Sequence, residues 1–114
     1  MLADSRRSVA ALRFLMVCLW LSWCSAGLAA DAADIAEGGE VYEMYCGACH
    51  GFNGRALMPG TPSFSTGERL DKSVEELLDA IFLGKGDAMP GWEGVLSPTE
   101  GKQVLDFIFS LSGQ

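Results

Sequence analysis

The chain is 114 residues long, enough for one domain. Fifteen acidic against eight basic residues give a net charge of −7. No basic face is therefore available for nucleic acid, and an anionic membrane surface is disfavoured for the same reason. A single histidine and four cysteines confine any metal chemistry to a few positions.

Residues 1–30 read as a secretory signal. Arg6, Arg7 and Arg13 come first, the apolar run FLMVCLWLSWC follows with only Ser22 interrupting it, and the small residues SAGLAA close the segment. Basic, apolar, small is the order of an export leader. Cleavage is expected after Ala30, which leaves 31–114 as the mature domain, although Ala29, Ala32 or Ala33 would also serve. Phe14 to Ala30 is only 17 residues with a weakly apolar second half, whereas a membrane anchor needs about 20. Trp23 is too bulky to precede Cys24 at a lipoprotein cleavage site. Without the leader, five basic residues face fourteen acidic ones, and the net charge falls to near −9. That acidity serves solubility or steers the domain toward a basic partner. Cys18 and Cys24 leave with the leader, so the mature chain retains only Cys46 and Cys49.

A first helix is expected over about Ile35 to Cys46, with Asp34 as its N-cap. Gly38, Val41, Tyr42 and Tyr45 fall on one face of it, and the Gly38–Gly39 pair suggests a close crossing with another helix. Residues 46–50 then read CGACH. Two thiols three apart can each add across a vinyl group of one haem, which leaves the adjacent His50 beneath the ring with its imidazole toward the iron. C-x-x-C-H is the attachment signature of c-type haem. A thioredoxin-like redox pair would need a βαβ setting, and no strand pattern lies nearby. A structural zinc site would need four ligands, whereas Cys46, Cys49 and His50 supply three. A haem also stabilises a domain too small to bury a large core.

Two loops and two helices complete the chain. The first loop, Gly51 to Thr66, is rich in Gly and Pro and contains LMPG. A helix over about Val74 to Leu83 has a Ser73/Glu76 capping box, an apolar stripe of Val74, Leu77, Leu78 and Ile81, and Gly84 as its stop. The second loop, Gly84 to Ser97, contains AMPG. The last helix, about Pro98 to Leu111, repeats the capping box at Ser97 and Glu100 and puts Pro98 first, where its missing N–H costs nothing. Val104, Leu105, Ile108 and Leu111 face inward, with Phe107 widening the stripe. No strand alternation appears, so the expected fold is all-α, with three main helices around one haem.

These segments, GEVYEMYCGACHG, the proline-bearing loop, GKGDAMPGW and LSPTEGKQVLDFIFSL, together resemble a class I cytochrome c of the small single-haem kind, over residues 34 to 112. The resemblance implies a close crossing of the first and last helices, with Gly38 and Tyr42 against Phe107. It implies a proline carbonyl accepting the Nδ1 proton of His50, and both Pro59 and Pro62 qualify. A sixth ligand must reach iron from the face opposite His50. Met58 lies eight residues beyond it, and the loop between stays close to it. Met89 lies 39 residues on, after a helix that carries the chain round the haem edge. The resemblance agrees, since the family's ligand methionine sits before the last helix and is followed by proline. Met89 is the expected ligand and Met58 the reserve. Trp92 either sits against the haem or its propionates, or is a boundary aromatic. Arg55 and Lys85 read as solvated surface.

His/Met ligation implies a monomeric periplasmic electron carrier rather than an enzyme. It would dock briefly on larger redox proteins through a basic patch of theirs, without nucleic acid or stable membrane association. Two other readings are a haem-based sensor of gas or peroxide, if Met89 dissociates, and a dedicated subunit of a larger oxidoreductase. The absence of a distal histidine counts against peroxide chemistry.

Overall fold

The computed structural model describes residues 26–113, with side chains from residue 32 onward. The chain divides after Asp31 into two compact units, and the second, Ala32–Gln114, carries everything that follows. The expected leader lies outside the described residues, except for its last five, which are helical.

Four helices make up the described chain: α1 (Ala26–Tyr45), α2 (Gly47–His50), α3 (Val74–Leu83) and α4 (Pro98–Leu111), with a 3₁₀ turn at Phe64–Thr66. Among the described residues there is no strand, only isolated bridges between Lys85 and Met89 and between Glu93 and Leu96. The fold is all-α. None of these helices is long and apolar enough to cross a membrane.

The two later helices start and stop where their capping chemistry directs. Ser73 accepts from the Glu76 N–H while the Glu76 carboxylate accepts from the Ser73 N–H, and Gly84 closes α3 at φ 80°. Ser97 and Glu100 do the same for α4, with Pro98 in its first turn. These reciprocal bonds satisfy N–H groups that have no partner inside the helix.

The start of α1 departs from expectation. The helix runs straight through Asp34, because alanines on both sides favour helix and nothing interrupts it. Asp34 is therefore no N-cap. With Glu37, one turn on, it accepts hydrogen bonds from the buried Gln103 amide of α4, at 2.9 and 2.7 Å.

The core is built from Tyr42, Phe64, Ile81, Leu96, Val104, Leu105, Ile108 and Leu111. Every inward position expected of α4 is buried. On α3 only Ile81 is, and Val74 stands 52% exposed at the helix start rather than in the stripe. The α1–α4 crossing is as close as backbone allows: a Cβ on Gly38 would run into the Gln103 carbonyl. Tyr42 meets Phe107 with ring centroids 5.1 Å apart. The glycine beneath Phe107 is Gly39 rather than Gly38, since successive helical positions point about 100° apart and Gly38 faces the α4 backbone instead. A glycine also admits an aromatic where α3 meets α4, as the Phe82 ring packs on Gly101.

Candidate haem-binding site

Cys46 follows α1 directly, and α2 is a single turn closed by the His50 N–H on the Cys46 carbonyl at 2.9 Å. Positions i, i+3 and i+4 of one turn share a face, which gathers Cys46, Cys49 and His50. Gly51 then turns the chain sharply, at φ 76° and ψ 141°, where any Cβ would strike the Arg55 carbonyl. Its own carbonyl accepts the buried Tyr42 hydroxyl at 2.8 Å. The turn bearing the motif is thus tied to the α1 core on both sides.

Neither Cys46 nor Cys49 is in a disulfide. Burial, and then the neighbouring Cys49, push the Cys46 thiol up to about 11, so it stays protonated at neutral pH. His50 is 7% exposed. Its Nδ1 lies 3.4 Å from the Pro62 carbonyl oxygen, a long hydrogen bond. A carbonyl can only accept, so the partner assigns the proton to Nδ1 and leaves the Nε2 lone pair for a metal. Burial holds the imidazole below its usual pKa, partly opposed by the Pro62 bond. Neutral at physiological pH and presenting Nε2, it has the form in which histidine binds iron.

Of the two prolines that the sequence left open, His50 meets Pro62. Pro59 sits exposed at the tip of the loop beside Met58, which is 48% exposed. The loop is fixed by the Leu57 N–H on the Cys49 carbonyl at 2.9 Å and by the Ala56 N–H on Ser63 Oγ at 3.1 Å. Sequence reasoning passed over Phe64, two residues beyond Pro62. Its ring stacks on the His50 imidazole with centroids 4.5 Å apart and planes 11° from parallel. The signal was an aromatic two residues beyond a proline in the loop that follows the motif.

Met89 belongs to a separate device. Lys85 and Met89 exchange two backbone hydrogen bonds, at 3.0 and 3.3 Å, and close a tight hairpin after α3. Gly84 and Gly91 let that hairpin lie directly on the end of α3, since a Cβ on Gly91 would meet the Phe82 carbonyl. The Met89 side chain is half-buried. Trp92 donates its backbone N–H to the Ile81 carbonyl at 3.0 Å. Its ring leans on Tyr45, the residue before Cys46, with centroids 5.1 Å apart, and links the hairpin to the motif. Arg55 and Lys85 are exposed.

Two cysteines and a neutral imidazole with an available nitrogen, on one helical turn, form a set that fits a covalently attached haem. Comparison with known proteins agrees. The family described as Cytochrome C oxidase, cbb3-type, subunit III, matches residues 33–108. Cytochrome c6 of Euglena viridis is 34% identical over 84 residues, 65% of this chain and 88% of that protein. Cytochrome c55X of Paracoccus denitrificans is 29% identical over 99 residues, 84% of this chain and 92% of that one. The cbb3-type cytochrome c oxidase subunit FixP of Azorhizobium caulinodans is 30% identical over 93 residues, 78% of this chain but only 31% of FixP. The chain thus spans most of the two small cytochromes and less than a third of FixP. It belongs to the cytochrome c family of electron carriers, and its cofactor is haem c.

Proposed function

We propose that the chain is exported, loses residues 1–30, and works in the periplasm as a soluble one-electron carrier that is not itself an enzyme. Cys46 and Cys49 would hold the haem through thioethers, and His50 and Met89 would ligate its iron. Haem c supplies a reversible one-electron couple between ferric and ferrous iron. The chain's own residues do the rest. His50 offers Nε2 because Pro62 keeps the proton on Nδ1, and the braced hairpin limits how far Met89 moves between oxidation states. With both ligands supplied by the chain, no substrate would need to coordinate. A thioether ligand favours the reduced form and raises the potential. The domain's acidity suits a brief encounter with a larger partner that carries a basic patch, through the small interfaces of redox encounters.

The observation that carries this reading is the His50 environment: buried, neutral, and oriented by a carbonyl twelve residues away. Intact mass and visible absorption of the exported protein test it. The expected product is one species, red, heavier than residues 31–114 by one haem. A colourless product of bare polypeptide mass, matured in a cytochrome-competent host, refutes the reading.

A second role is favoured by the matched family and by FixP, both described as parts of cbb3-type oxidases. On that reading the domain serves a larger oxidoreductase. Gel filtration of a native extract separates the two: a carrier elutes as a monomer and a subunit elutes with its complex.

A further inference from the structure

We infer that Phe64 is a positioning residue that sets the plane of the His50 imidazole. The inference rests on His50 being the axial ligand and goes beyond it. A hydrogen bond at Nδ1 fixes which edge of the ring faces Pro62, but a single bond of 3.4 Å leaves the ring free to tilt about that contact. Phe64 removes that freedom, because its ring lies flat against the imidazole, 11° from parallel.

The clamp is itself held by hydrogen bonds. Pro62 and Phe64 flank Ser63, which is pinned three ways: its N–H donates to Glu68 Oε2 at 2.8 Å, its Oγ accepts from the Ala56 N–H at 3.1 Å, and its carbonyl accepts from Thr66 Oγ1 at 3.0 Å. The carbonyl and the ring that constrain His50 therefore come from one hydrogen-bonded segment. Behind Phe64 stands Tyr42, edge-on at 6.4 Å and 61°, fully buried. The Tyr42 hydroxyl bonds the carbonyl of Gly51, next in chain to His50. The contacts close a circuit of His50, Phe64, Tyr42 and Gly51, and a tilt of the imidazole must displace every member. Stacked aromatic pairs of this kind contribute interaction beyond their buried area.

The orientation of axial ligands controls the order of the haem-methyl resonances in a ferric low-spin haem, which a purely structural residue would not alter. The test is the paramagnetic proton spectrum of the ferric holoprotein for wild type, Phe64→Leu and Phe64→Tyr. Leucine keeps apolar volume but loses the flat face, and tyrosine keeps the face. The expected result is a changed order and spread of methyl shifts in Phe64→Leu and the wild-type pattern in Phe64→Tyr. An unchanged pattern in Phe64→Leu overturns the inference, as does an equal change in both variants. Should Phe64→Leu fail to hold haem, Phe64→Met is read by the same criteria, since a flexible thioether chain fills irregular apolar space. His50→Ala tests the underlying assignment separately. If that variant keeps the wild-type low-spin spectrum, His50 is not the ligand and the reading beneath the inference fails. If it loses that spectrum while Phe64→Leu leaves the methyl order intact, only the inference fails.

Discussion

The two proposed iron ligands are held by opposite means. His50 is buried, with the Phe64 ring on its face, the Pro62 carbonyl at its edge, and Tyr42 behind Phe64. The Met89 loop is shaped by backbone, through paired hydrogen bonds with Lys85 and glycines that let the hairpin rest on the end of α3. Around it Lys85, Gly86, Asp87, Ala88 and Pro90 are exposed. The difference follows from the ligands' chemistry. An imidazole must present the right nitrogen in the right tautomer, which only directional partners can impose. A thioether carries no proton, so reach is enough. Exposed backbone bonds also open at lower free energy than a packed core, so the methionine side should yield first under stress.

The largest effect is expected from emptying the histidine side. Phe64→Ala removes a core ring and should cost about 3–5 kcal/mol, read as a thermal midpoint lowered by about 4–8 °C for each kcal/mol. Gly84→Ala attacks the other side, placing a Cβ against the Met89 carbonyl at a φ of 80°. Overpacking and strain of this kind cost about 1–3 kcal/mol. The expected signature is loss of methionine ligation with the His50 environment intact, measured by absorption in the far red. A larger fall in midpoint from Gly84→Ala than from Phe64→Ala would erase the contrast between the two sides.

Acid should separate them as well. Burial lowers the His50 pKa in the folded state, so the folded chain binds its proton less readily than the unfolded chain. That contribution to stability is complete above the ordinary histidine pKa of about 6.5. It is lost as pH falls through the depressed folded value. In the haem-free chain, where the imidazole is uncoordinated, denaturant unfolding from pH 8 to pH 4 should show stability falling across that window, and a shallower fall in Phe64→Ala, where the imidazole is less buried. Met89 has no proton to gain, so Met89→Ala should keep the wild-type slope.

Smaller effects follow from single hydrogen bonds. Tyr42→Phe leaves the Gly51 carbonyl without its donor and should cost about 1 kcal/mol. Ser73→Ala and Ser97→Ala each remove an N-cap, again about 1 kcal/mol, by thermal denaturation. Tyr42→Phe should also disturb the haem-methyl pattern, whereas the two cap variants should leave it unchanged.

Legibility in the sequence followed the range of the interactions. The bounds of α3 and α4 were readable because a capping box, a stop glycine and an N1 proline are local chemistry. The start of α1 was not, because Asp34 has the look of a cap until the alanines before it are seen to be helical. Its real partner, Gln103, is 69 residues away. The motif at 46–50 was readable for the same local reason. The choice between Pro59 and Pro62, and the role of Phe64, depend on how a loop folds back over twelve or more residues. Periodicity has nothing to say about that path.

The central claim, that one iron is held by His50 and Met89, is tested most directly by the ferric absorption spectrum of the exported protein beside its Met89→Ala and Met58→Ala variants. The account predicts a far-red sulfur-to-iron band in wild type, kept in Met58→Ala and absent from Met89→Ala. A band that survives Met89→Ala and vanishes with Met58→Ala, or one that wild type never shows, would contradict it.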